Sequence, residues 1–169
     1  MTEKLYEYYG LDFTEEEKKE IEQSFNRFMS LSKTGKIYVK SEYKDNFQKN
    51  WAARALLDYA QRLHMESVMR DELSAELRKD YMVRAITAID KAYRLTRLPI
   101  YLYDIAFLLS ELGKTEEAKP LFLEFLRCQA TLKPTPYEKI ILSERNIAAA
   151  KKDTKKRLKI SWWRQLFGQ

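Results

Sequence analysis

The chain is poor in residues that interrupt helices. It has four glycines and four prolines in 169 residues, and neither type occurs between 36 and 98. That interval is free to be helical, because glycine and proline are the strongest local breakers. The glycines fall at 10, 35, 113 and 168, so no two lie close together and no glycine-rich phosphate loop can form. A single histidine, His64, excludes a multi-histidine metal site, and a place on or near a helix surface accounts for it. A single cysteine, Cys128, excludes an internal disulfide; its apolar helical setting reads as a buried, inert thiol in a reducing cytosol. No run approaches the roughly 18 apolar residues of a membrane span. The N-terminal Met-Thr-Glu-Lys-Leu-Tyr-Glu lacks a basic segment followed by an apolar one. The expected location is cytoplasmic, with peripheral attachment at a membrane as the alternative. No metal or other cofactor is expected.

Hydrophobic residues make up 45% of the chain, and a chain of this length can bury about 70% of its unfolded surface in one core. The net charge of +6 invites a polyanion reading until it is located. Residues 151–169 carry Lys151, Lys152, Lys155, Lys156, Arg157, Lys159 and Arg164 against Asp153, which is 7 − 1 = +6. The first 150 residues therefore sum to zero.

Helical periodicity recurs along the chain. Residues 1–9 suit a short helix ended by Gly10. Thr14 and Glu17 have capping-box spacing, and Ile21, Phe25, Phe28 and Met29 follow as one apolar stripe, predicting a helix over 15–31. Glu15, Glu16, Glu17, Glu20 and Glu22 alternate with Lys18 and Lys19 and read as a solvated helix face. Ser32 to Gly35 breaks the helix, and residues 36–40 read as a surface loop. From Asp45 the pattern resumes with Trp51, Ala55, Leu56, Tyr59 and Leu63 on one side. Over 66–95 periodicity allows one helix or two, with Ala85, Ile89, Ala92 and Tyr93 as its later stripe, and Leu98-Pro99 marks a boundary. Two amphipathic patterns then meet at Gly113, which predicts a helical hairpin over 99–126. Thr135-Pro136-Tyr137-Glu138 starts a helix expected to run through about Ala150, with Ile140, Ile141 and Ile147 inward. The domain division read from these patterns is 1–44, an N-terminal helical segment and loop; 45–150, a helical-hairpin domain; and 151–169, a basic aromatic tail.

The central hairpin resembles a tetratricopeptide repeat, a unit of about 34 residues. Leu102, Ile105, Ala106 and Leu109 stand in its first helix, Gly113 at the turn, and Ala118 and Phe122 in its second. Ala85, Ile89 and Ala92 repeat the second-helix pattern 33 residues earlier. Trp51 and Ala55 could open that earlier repeat. Thirty residues separate Ala55 from Ala85 where the family has about 12, and Phe125 stands where a second small residue is usual. The resemblance implies an all-α fold, a stack of antiparallel helical hairpins in an α-α superhelix. It also implies a non-catalytic adaptor that binds a protein or peptide in the groove lined by first helices. The matching positions are Tyr103, Phe107, Ser110 and Glu111, which suit an aromatic or apolar ligand, or else pack against a neighbouring helix.

The second candidate surface is the C-terminal segment. Leu158, Trp162, Trp163, Leu166 and Phe167 fall near one helical face, with Lys155, Lys156, Lys159 and Arg164 expected elsewhere. Together with Arg157 this composition suits an anionic membrane interface, or a terminal helix capping the apolar end of a stack. Nucleic acid is disfavoured, because a neutral body gives the rest of a strand nothing to follow.

Overall fold

The computed structural model describes residues 11–31 and 44–167, with side chains for 11–27 and 45–159. The expected helix before Gly10 and the expected loop at 36–40 lie outside the described residues. Among those described the fold is all-helical: α1 (Glu15–Leu31), α2 (Lys44–Met69), α3 (Ala75–Thr96), α4 (Ile100–Glu111), α5 (Thr115–Thr131), α6 (Pro136–Ser143) and α7 (Ile147–Phe167). The chain divides into two compact units, one ending at Arg97 and one beginning at Leu98. The stretch 45–150 therefore contributes to both units, and residue 151 falls inside α7 rather than at the start of a separate tail.

In the first unit α2 packs against both α1 and α3. Its burial is accordingly wider than one stripe: Ala52, Ala53, Leu57 and Ala60 are buried along with the expected Ala55, Leu56, Tyr59 and Leu63, whereas Trp51 is only half-buried. Ala85, Ala88 and Ala92 bring α3 close to this surface, and Arg84 Nη2 donates to the Tyr59 hydroxyl at 2.7 Å. The span 66–95 is two helices. Ser74 caps α3 by accepting from Leu77 N at 3.2 Å, and the Arg78 guanidinium holds the intervening turn through the carbonyls of Arg70, Asp71 and Leu73. Arg97, in the left-handed region at φ 57°, closes α3 ahead of Leu98-Pro99.

The capping box at the start of α1 forms as its spacing predicts: Thr14 N donates to Glu17 Oε2 at 2.8 Å and Glu17 N to Thr14 Oγ1 at 3.2 Å. The reading of its acids as a solvated face needs correction at two positions. Glu17 is 2% exposed and accepts from Lys91 Nζ of α3 at 2.5 Å, while Glu20 pairs with Arg62 of α2. Phe13 beneath the Lys91 ammonium and Ile21 complete the seam. One carboxylate thus caps its own helix and ties it to α3.

In the second unit α4 and α5 form the hairpin. Leu112, Gly113 and Lys114 end α4 in a Schellman arrangement, with Gly113 N donating to Ser110 O at 3.0 Å and Lys114 N to Leu109 O at 2.9 Å. Gly113 takes φ +77°, the one glycine among those described that needs a conformation costly for other residues. Leu102, Ile105, Ala106, Leu109, Ala118, Phe122 and Phe125 are buried. α6 starts as its signals predict, with Thr135 N donating to Glu138 Oε2 at 2.7 Å and Pro136 at the first helical position. It ends at Ser143 rather than near Ala150, because Asn146 opens a new helix: its Oδ1 accepts from Ala149 N at 3.0 Å.

Two substitutions test these local arguments in urea titrations. Glu17→Ala leaves the Lys91 ammonium, 12% exposed, without its carboxylate and should cost about 3 kcal/mol, more than Glu17→Gln, which keeps an acceptor at the cap. Gly113→Ala meets open space around its new Cβ, so it should cost only the left-handed backbone penalty of about 1 kcal/mol. A loss of several kcal/mol there would mean that the turn is closely packed.

Candidate functional site

The second unit brings together residues that the sequence placed in two separate surfaces. Helix α7 packs on α4 and α5, and the stripe that faces them is Ala150, Asp153, Thr154 and Arg157, at i, i+3, i+4 and i+7. Ala150 and Thr154 are buried, the latter completely. Asp153 Oδ2 accepts from the Tyr103 hydroxyl of α4 at 3.1 Å and from Arg157 Nε at 2.7 Å. The Arg157 guanidinium lies over the Phe107 ring, 4.8 Å from its centroid, and its Nη1 stands 3.8 Å from a Glu111 carboxylate oxygen. Behind this contact the Tyr103 ring sits 5.6 Å from Phe125 and 6.0 Å from Phe122, centroid to centroid.

The expected groove on α4 is therefore not open at Tyr103 and Phe107. Both are half-buried against α7, and Glu111 faces the same arginine. Ser110 offers no outward hydroxyl, since its Oγ donates back to Ala106 O at 2.9 Å. The physical reason is complementarity: an aromatic wall presents a ring face and a hydroxyl, and α7 presents a guanidinium and a carboxylate at matching positions.

A second ion pair fixes the chain as it enters α7. Asp104 of α4 accepts from Arg145 Nη2 at 2.5 Å, with only 13% and 18% of the two side chains exposed. Burial pushes the Asp104 carboxyl above its ordinary range while the Arg145 guanidinium opposes that shift. Tyr103 is pushed up to about 12, first by burial and then by the negative charge of Asp153, with Arg157 opposing. At neutral pH it is a firm neutral donor.

The opposite face of α7 carries Lys152, Lys155, Lys156 and Lys159, again at i, i+3, i+4 and i+7, and all four are exposed. None of them pairs with a carboxylate among the described residues; Asp153, the one acid of α7, is engaged by Arg157 on the inner face. The expectation that the aromatic residues share a face apart from the lysines falls on side chains outside the described residues. Arg157 belongs to the inner face and leaves the anion-binding set. The side chains of Trp162, Trp163, Arg164 and Phe167 lie outside the described residues.

The ion pairs of this site, Asp153 with Arg157 and Asp104 with Arg145, were legible only in part. Asp153 and Arg157 have the i, i+4 spacing of a helical ion pair. Nothing local links Asp104 to Arg145. Among the described residues no group of three or more histidine, cysteine, aspartate or glutamate side chains gathers to hold a metal, and no helix is long and apolar enough to cross a membrane. No protein-family model, curated protein or solved structure matches the chain.

The raised Tyr103 value has a measurable consequence. The neutral hydroxyl contributes stability that is fully present below pH 10.0 and lost as pH rises through about 12. Alkaline titration of tyrosinate absorbance should show a late component near pH 12 that Tyr103→Phe removes, and wild-type stability should fall relative to that variant between the two values. An unchanged titration curve would mean that the hydroxyl is not held against Asp153.

Proposed function

We propose that this chain is a non-catalytic interaction module, an adaptor of helical hairpins related in design to tetratricopeptide repeats. Its contact surface is the outer face of α7, and the partner presents an acidic surface. The observation that carries this reading is the row of four exposed, unneutralised lysines on the face opposite the docked stripe. The α4 wall is the weaker candidate, because α7 already occupies Tyr103 and Phe107. Any competing ligand would have to displace a tethered helix, whose effective concentration is in the millimolar range for short linkers.

Localised charge also fits the sequence-wide distribution. A surface that acts through net charge alone would respond equally to any lysine, whereas a surface built on one face would not. The test is salt elution from immobilised heparin, used as a generic polyanion. Replacing Lys152, Lys155, Lys156 and Lys159 by glutamine should shift elution to markedly lower salt. Replacing the equally exposed Lys79, Lys133 and Lys139 should shift it little. Similar shifts in both variants would contradict a face-specific role, and glutamine keeps enough helix propensity for α7 to persist in the test.

A further inference from the structure

We infer that α7 can be swapped between two copies of this chain: the break between α6 and α7 is a hinge, and when it straightens α7 leaves its own α4 and docks on the α4 of the second copy. The inference goes beyond the acidic-partner reading and does not depend on it.

The hinge is made of residues that a helix accepts. Between Pro136 and Gly168 the chain contains neither glycine nor proline, and its periodicity predicts one helix from Pro136 through about Ala150. Glu144 already has helical backbone angles, φ −80° and ψ −10°, so Arg145 and Asn146 carry the change of direction. Three devices hold the bend. Glu144 N and Arg145 N donate to Ile141 O and Leu142 O, three residues back rather than four, each at 3.2 Å. The exposed Asn146 caps α7 through its side chain. Asp104 latches Arg145 at the bend through the buried ion pair. Straightening restores the ordinary i to i−4 ladder and gives up the cap and the latch. It joins 136–167 into one helix about 48 Å long at 1.5 Å per residue.

The seam that must open is shallow. Its fully buried members on α7 are Ala150 and Thr154, which carry little apolar surface into water when the helix leaves. What directs the docking is polar and specific, the Tyr103 hydroxyl on Asp153 and the Arg157 guanidinium over Phe107. A chain that opens alone loses these contacts on both sides of the seam. A second copy returns them, because each copy's stripe meets the other's α4 in two identical contacts related by a two-fold axis, the closed arrangement of a swapped dimer. Every contact of the docked helix is then kept and only the hinge differs. The balance between one chain and the swapped pair is therefore set by the hinge residues and by protein concentration.

The test measures the mass of the full chain by light scattering over a concentration series, with circular dichroism to confirm that each variant is folded. Asn146→Ala removes the exposed cap and leaves the latch and the α4 wall in place. Loss of a cap is worth about fivefold per hinge, and the swapped dimer has two hinges, so its association constant should rise about 25-fold. Asp104→Ala/Arg145→Ala removes the latch without stranding a charge and should also raise the dimer fraction. Adding Ile147→Pro to either variant places proline at the first position of α7, at the cost of the Ile147 N to Arg145 O hydrogen bond. The bent form accepts proline there and a continuous helix does not, so the chain should return to a monomer. Monomers in both variants at the highest concentration would overturn the swap. A dimer that persists with the proline would also overturn it, since that dimer forms through another surface. If the latch variant fails to fold, the cap variant decides by the same criteria.

Discussion

The roll of α7 about its own axis is the constraint on which the functional surface depends. A helix can present any of its sides to a neighbour, and the choice here is made by Asp153 and Arg157. These two side chains meet Tyr103, Phe107 and Glu111 of α4 in one cluster. The rest of the inner stripe is small, Ala150 and Thr154, so dispersion contributes modestly and direction comes from the polar contacts. Turning the helix by half a revolution would press four ammonium groups against the hairpin, and the desolvation penalty is several kcal/mol for each buried ion. The lysines therefore oppose the wrong roll as firmly as Asp153 and Arg157 select the right one.

The first unit uses the same device. Glu17 and Glu20 dock α1 through Lys91 and Arg62, with Glu17 buried almost completely. The Glu17–Lys91 pair differs from the exposed ones elsewhere, for example Asp90 with Arg94, where water screens both partners and little stability results. In both units a helix that packs on its neighbours through one narrow stripe gains its orientation from a paired charge. The apolar residues say that it is buried, and the pair says how.

The helices themselves were largely readable in the sequence because their causes are local. The capping boxes at Thr14 and Thr135, the glycine at 113 and the proline at 99 each set an element end where their chemistry requires it. Two ends were not readable. Ser74 lacks a reciprocal acid three residues on, so its cap was hidden in a charged stretch, and Asn146 was masked by the alanines after it. The candidate site was legible only as a list of residue types. Tyr103, Phe107 and Glu111 were identified and so was Arg157, but local periodicity cannot report that one set is the binding partner of the other. The same limit explains Glu17, which the capping box with Thr14 accounts for fully until α3 is in place. Long-range pairing of charges is the information that one-dimensional patterning lacks.

The central claim is that α7 is docked on α4 with its lysine side outward. Native-state amide hydrogen exchange tests it most directly, since most of a helix's stability in a protein comes from tertiary packing, and an undocked α7 would lose that protection. Amides across 150–158 should be protected comparably to those of α4, and Arg157→Ala should lower protection in both α7 and the Tyr103 to Phe107 turn of α4. Rapid exchange across 150–158 in the wild-type chain, or an Arg157→Ala effect confined to α7, would contradict it.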